Sequence, residues 1–167
     1  MQIYSIYKND FFNLLIIASN KGISRIIFST EIVFNVILAK LENQIGNKVR
    51  HDNHYFTNLY TDLSRYFGGE PVVFNENIDL SSGTEFQHLV WKQLLKVKYG
   101  QVKTYGQIAK DIDRPTAVRA VGAANGKNPV PLLVPCHRII GADGKLIGYG
   151  PGLDVKEKLL RLEGVII

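Results

Sequence analysis

The chain holds one cysteine among 167 residues, with one tryptophan and one methionine. A single thiol excludes an internal disulfide and any multi-cysteine zinc site, which leaves Cys136 as either inert packing or a reactive group. Long apolar runs are also lacking: none reaches the roughly 18 residues that a membrane span needs. The opening MQIYSIYKND has neither the basic region nor the apolar stretch of a secretory leader, so a cytoplasmic protein with no membrane association is expected. Histidine is scarce too. The one close pair, His51 and His54 in HDNH, reads as a polar surface turn, and neither a metal nor a cofactor is expected.

Positive charge is short in one half only. Residues 1–81 carry seven Lys and Arg against eight Asp and Glu, whereas residues 82–167 carry thirteen against seven. A basic face attracts polyanions over about a Debye length. The carboxyl half is therefore either a nucleic-acid-binding surface or a solvated Lys-rich one. At 46% hydrophobic residues the chain can bury a real core, enough for one or two small domains.

IYSIY, FFNLLIIAS and ISRIIFS are short β-rich runs separated by KND and NKG, which predicts an antiparallel meander. Thr30 can cap a helix with Ile32, Val36, Leu38 and Leu41 at helical spacing. A second helix fits HYFTNLYTDLSRYFGG, with Phe56, Leu59, Tyr60, Leu63 and Phe67 on one stripe and Gly68 as its stop. PVVFNENIDL reads as a strand or an extended connector. The expected architecture is α/β in the broad α+β sense: a sheet-and-helix domain over 1–80, then a helical domain over 81–167.

In that second domain Ser82 with Glu85, or Thr84 with Gln87, offers a capping box for a helix carrying Phe86, Leu89, Val90, Leu94 and Val97. Thr104 with Gln107 offers another, for a short helix. DRP is a turn, and Pro115 suits the first position of the next helix. Short helix, turn, short helix is the helix-turn-helix pattern. Ala117, Ala120, Gly122, Ala123 and Ala124 would let the second helix approach another surface closely, with Arg119 projecting from it. The same residues would equally suit packing against a neighbouring helix.

Cys136 follows a loop, NPVPLLVP, stiffened by Pro129, Pro131 and Pro135. Asn128 at its head can satisfy backbone groups that regular structure would otherwise pair. If CHR turns into a helix, His137 can reach the thiol directly or through a water, and the Arg138 cation would favour ionisation. The alternative is that Cys136 is a small buried hydrophobe. The loop GYGPG can lie close to a ligand while presenting Tyr149. In the last helix Val155, Leu159 and Leu162 are expected inward. Glu163, a carboxylate at a disfavoured helix C-terminus, needs a partner, for which His137 is suited. Cys136, His137 and Glu163 would form a nucleophile, base and orienter relay.

The stretch YGQIA, RAVGAANGKNP, PVPLLVPCHRIIG and GYGPGLDVKEKLLRLEG, spanning about residues 82–164, resembles the O6-alkylguanine-DNA alkyltransferases. The amino half is compatible with that family's ribonuclease-H-like domain, and the carboxyl half with its winged-helix-like one. The resemblance implies single-turnover transfer of an alkyl group from O6-alkylguanine, and also O4-methylthymine, in double-stranded DNA onto Cys136 after base flipping. It further implies His137 as base through a water, Glu163 as its orienter, Asn128 as brace of the turn, and Tyr105 as donor to guanine N3. Arg119 would enter the stack where the base left. Ala120, Gly122, Lys127 and Arg138 would join it in a minor-groove contact largely independent of sequence. Pro131, Tyr149 and Gly150 would wall the pocket, in a monomer that can bind DNA cooperatively. Mammalian members have a serine where this chain has Gly150, so backbone N–H groups must serve there, and they carry a zinc that is not expected here. Two other classes fit parts of the pattern. A module that only recognises alkylated bases would replace the cysteine, and a Cys-His acyl-transfer enzyme would leave the small-residue helix without a purpose.

Overall fold

The computed structural model describes residues 2–29, 31–45 and 49–166, with the backbone alone at 31, 44 and 45. Strands β1 (Gln2–Lys8), β2 (Asn13–Ser19) and β3 (Gly22–Phe28) form the expected meander. Helix α1 (Glu31–Ile45) then crosses to β4 (Val49–His51), which pairs parallel with β1 and completes a sheet of order β3-β2-β1-β4. Successive side chains of a strand point to opposite faces. In β2 this sends Leu15 and Ile17 under α1, while Leu14, Ile16 and Ala18 enter the main core. The α1 stripe is Phe34, Leu38 and Leu41, and Ile32 and Val36 are exposed. Half of the expected stripe therefore faces water, because Phe34 rather than Ile32 sets the buried phase. The Thr30 cap lies outside the described residues.

Helix α2 (Thr57–Phe67) covers the other face with Leu59, Leu63, Tyr66 and Phe67, and its chain leaves through Gly68. Residues 70–80 are the extended connector, not a strand in their own right. The connector runs along β3, with Ile23 N–H donating to Asn77 O at 2.8 Å and Asp79 N–H donating to Ile23 O at 2.8 Å. This contact covers an otherwise open sheet edge. It also dictates Gly22, where φ is +137° and a Cβ would stand 2.2 Å from Asn77 O.

Helix α3 (Glu85–Leu94) uses the Thr84–Gln87 capping box and buries Val90, Trp91 and Leu94. Leu89, expected inside, is exposed. Strand β5 (Lys103–Thr104) leads into α4 (Tyr105–Asp111), whose Thr104–Gln107 capping box is also formed. Helix α5 (Val118–Gly126) starts three residues beyond Pro115. The delay comes from the turn itself: Asp113 has φ +56°, and Ala117 N–H donates to Arg114 O at 2.9 Å, which spends Pro115 inside the loop. Strand β6 (Ile139–Ile140) pairs parallel with β5, and α6 (Leu153–Leu162) closes the fold. Its wholly buried side chains are Lys156, Leu159 and Leu160, with Val155 and Leu162 only partly covered.

One buried apolar cluster runs from Tyr7 and Leu14 through α2 to Leu94, Ile108, Cys136 and Leu159, so the two halves share a core. The sheet also touches the cysteine loop directly, since Ile26 N–H of β3 donates to Pro129 O at 2.9 Å. No helix among the described residues is long and apolar enough to cross a membrane.

Candidate active site

The loop before the cysteine is held by hydrogen bonds that its prolines leave available. Val134 N–H closes a turn onto Val130 O at 3.0 Å, with Leu132 at φ +77°. That conformation costs an L-residue about 1–2 kcal/mol. Asn128 offsets it from inside the turn: its Oδ1 accepts from Val130 N at 3.0 Å and its Nδ2 donates to Val134 O at 2.8 Å. The same Nδ2 lies 3.0 Å from Cys136 Sγ. The brace of the loop therefore also touches the sulfur. Cys136, His137 and Arg138 form a single 3-10 turn, and all three are buried.

Within that turn the side chains diverge. His137 Nε2 meets Glu163 Oε1 at 2.8 Å. An ionised carboxylate only accepts, so Nε2 carries the proton and Nδ1 presents a lone pair. Nδ1 is buried with no hydrogen-bond partner among the described residues. Glu163 ends α6 and is drawn inward by Arg138, whose Nε and Nη2 donate to it at 3.0 Å while Nη1 donates to Val97 O at 2.7 Å. Gly100 N–H and the Tyr66 hydroxyl complete its shell at 3.2 and 2.6 Å.

Arg138 was expected at the DNA surface, and the structure corrects this. The side chain is 9% exposed with its donors aimed into the core, so it neutralises Glu163 and is not offered to a phosphate. Burial alone would raise the Glu163 carboxyl. The hydrogen bonds from His137 and Arg138, with the Arg138 charge, overturn that and hold it at about 2. Burial pushes His137 below its usual value, so the imidazole is neutral at pH 7. Burial likewise pushes the Cys136 thiol up to about 11 against the lowering pull of Asn128 and Lys156. In this form the sulfur is protonated and 3% exposed.

Tyr105 opens α4 with its hydroxyl donating to the carbonyls of Ile147 and Gly148 at 2.8 and 3.2 Å. Burial, then the nearby thiol, raises it to about 12, so it is a donor throughout the physiological range. Lys156, which the sequence reading passed over, shares that task. Its Nζ donates to Ile139 O at 2.5 Å and to Ile147 O at 2.8 Å, and it sits 5.8 Å from the Tyr105 ring centre. The carbonyl of Ile147 is thus gripped twice, tying the glycine-rich loop to β6. Tyr149 on that loop is buried, with its ring 6.4 Å from that of His137 and its hydroxyl unpartnered. Pro131 is buried in the loop of Asn128, and Gly150 is exposed.

On the outer face, Arg119, Ala120, Ala123 and Lys127 of α5 and its end are exposed. Arg119 has no hydrogen bond or ion pair among the described residues. Gly122 is partly buried beside Tyr105, where a Cβ would make an ordinary contact of 3.8 Å with the ring, so packing of α5 on α4 does not itself require a glycine. Trp91 Nε1 ties α3 to the carbonyl of Ala124 at 2.9 Å. His51, at the far end of the sheet, lies against the Tyr4 ring.

A sheet-and-helix half joined to a helix-turn-helix half that carries a braced cysteine defines a two-part class of protein. Residues 2–80 match the family model described as 6-O-methylguanine DNA methyltransferase, ribonuclease-like domain. Residues 85–165 match the DNA binding domain of the same family. The chain is 41% identical over 160 residues to a methylated-DNA–protein-cysteine methyltransferase of Methanosarcina mazei, covering 96% of each. Among solved structures, Mycobacterium tuberculosis OGT in complex with DNA is similar at TM-score 0.80 and 36% identity, over 96% of this chain and 92% of that one. The O6-methylguanine-DNA methyltransferase of Pyrococcus kodakaraensis is similar at TM-score 0.70 and 28% identity, over 99% and 100%. The chain belongs to the 6-O-methylguanine DNA methyltransferase family.

Proposed function

We propose that the protein repairs double-stranded DNA by moving the alkyl group of O6-alkylguanine onto Cys136 in one irreversible step. The observation that carries this is the buried chain Asn128–Cys136 and His137–Glu163, set directly behind an exposed, basic, small-residue helix. Guanine O6 in a stacked pair cannot be reached in line, so the nucleotide rotates out. Arg119 fills the place it leaves, with Ala120 and Lys127 beside it in the minor groove. The lean face of α5 suits that narrow groove, and contacts to backbone make binding largely independent of sequence.

In the pocket between Pro131, Tyr149 and the backbone at Gly150, the thiol proton passes to His137 Nδ1. The sulfur attacks the alkyl carbon and an S–C bond forms as the C–O6 bond breaks; the Tyr105 hydroxyl supports the leaving guanine anion by a hydrogen bond at N3, and the anion then takes its proton from water. For that hydrogen bond the Tyr105 hydroxyl exchanges the Ile147 carbonyl for the base. Glu163, held ionised by Arg138, stabilises the imidazolium as it forms. The thioether produced has no good leaving group, so each molecule acts once, as a monomer in the cytoplasm.

Incubation with duplex DNA bearing O6-methylguanine tests the reading. The peptide containing Cys136 should gain one methyl group per molecule by mass spectrometry, with guanine restored in the duplex. A Cys136→Ser variant that still restores guanine, or wild type that does so in many turnovers, excludes it.

A further inference from the structure

We propose that Tyr66, from the amino-terminal half, is a positioning residue of the alkyl-transfer relay: its hydroxyl holds Glu163 Oε1 and limits how strongly that carboxylate supports a protonated His137. The inference rests on Cys136 as the alkyl acceptor.

Glu163 Oε1 is the point where the relay converges. It accepts from the Tyr66 hydroxyl at 2.6 Å, from His137 Nε2 at 2.8 Å and from Arg138 Nη2 and Nε at 3.0 and 3.2 Å. The Tyr66 oxygen and His137 Nε2 are themselves 3.4 Å apart. Both donate to the same oxygen, so they compete for its electron density and do not bond to each other. The tyrosine contact is the shortest of the four. A donor that draws density from Oε1 weakens it as an acceptor for the imidazolium. Tyr66 thereby favours the neutral imidazole, the form that can take the thiol proton.

Tyr66 is fixed for this. It is wholly buried, and its ring packs edge-on against Phe67 and Tyr99 at 5.4 and 5.9 Å and tilted against Phe74 at 5.7 Å. Phenylalanine would fill the same space, and only the hydroxyl reaches the relay. The other ionisable groups around His137 are Cys136 and Arg138 in its own turn, Glu163 and Lys156 from α6, and Tyr149 from the glycine-rich loop, with Tyr99 behind Tyr66. Of these only Arg138 also shares Oε1.

The test is the pH profile of single-turnover transfer to Cys136. Transfer needs neutral His137, so the rate falls below its pKa. Tyr66→Phe should raise that pKa and move the acid limb up by about half to one unit, with the rate above the limb within about twofold of wild type. Replacing Tyr66 with 3-fluorotyrosine, nearly the same shape with a more acidic phenol, should move the limb the other way. Tyr99→Phe, whose hydroxyl binds the carbonyls of Gly69 and Leu162, should leave it in place. A Tyr66→Phe rate lowered equally at every pH, or a limb moved equally by Tyr99→Phe, overturns the proposal in favour of packing alone. Should Tyr66→Phe fail to fold, an acid limb that 3-fluorotyrosine leaves unmoved or moves upward also overturns it. Absence of any methyl on wild-type Cys136 would instead remove the reading beneath it.

Discussion

The outer face of α4 and α5 and the turn at Cys136 lie close in sequence, and they handle polarity in opposite ways. On the helix face Arg119 and Lys127 stand in solvent, and Arg119 has no partner among the described residues. At the turn the polar atoms are buried and most are paired within the protein, with Glu163 alone accepting from four residues. The first arrangement suits a partner that brings its own charge, as a phosphate backbone does. The second suits a proton that must move between fixed groups without help from bulk water. Arg119 and Arg138 show the division most plainly: one side chain type, one standing in solvent without a partner among the described residues and the other neutralising a carboxylate from within.

Breaking the inner region should have the largest effect. Glu163→Ala leaves the Arg138 guanidinium buried and uncompensated, so about 3–5 kcal/mol of stability should be lost in urea unfolding, together with transfer to Cys136. Acid probes the same groups without mutation. Glu163 titrates at about 2 in the folded chain against an ordinary 4.5, so its contribution is complete above about pH 4.5 and is lost as pH falls toward 2. His137 is depressed below 6.5, and its neutral form likewise stops favouring the folded state as pH drops below that value. Through these two groups stability should decline in two stages between about pH 6.5 and pH 2, and Glu163→Gln should reduce the lower stage, which Asp79, also held at about 2, shares.

The outer region should respond differently. Arg119→Ala should weaken binding to undamaged duplex by about tenfold and reduce the salt slope by about one, with stability unchanged to about 0.5 kcal/mol. A large stability loss from this variant would erase the contrast between the two regions. Arg138→Ala should show the converse, a lower unfolding midpoint with an unaltered salt slope. Smallest is Thr104→Ala, which removes the cap of α4 and should cost about 1 kcal/mol in the same unfolding assay.

What the sequence made legible was local. The Thr104–Gln107 capping box, the meander turns and Gly68 depend on residues within a few positions of one another and are legible where they occur, whereas for α3 the sequence offers two caps and the structure uses Thr84–Gln87. Glu163 with His137 was reachable because a carboxylate at a helix end is an anomaly that asks for a cation or donor. Pro115 misled because a proline that suits a helix start suits a turn equally, and the positive φ of Asp113 decided between them. Arg138 misled, and Lys156 goes unnoticed, for a different reason. Basic residues default to the surface in any reading by composition, and only the fold shows that Val97 O, Ile139 O and Ile147 O wait for them inside. Tyr66 could not have been found at all, since it reaches Glu163 across 97 positions of chain.

If Cys136 takes one alkyl group for good, as proposed above, its burial and raised pKa would also preserve the unused protein. A reagent good for one encounter is wasted by any stray reaction, and peroxides and small free electrophiles consume thiolates that are ionised and exposed. Sheltered from both conditions, the sulfur stays loaded until a lesion is delivered to it.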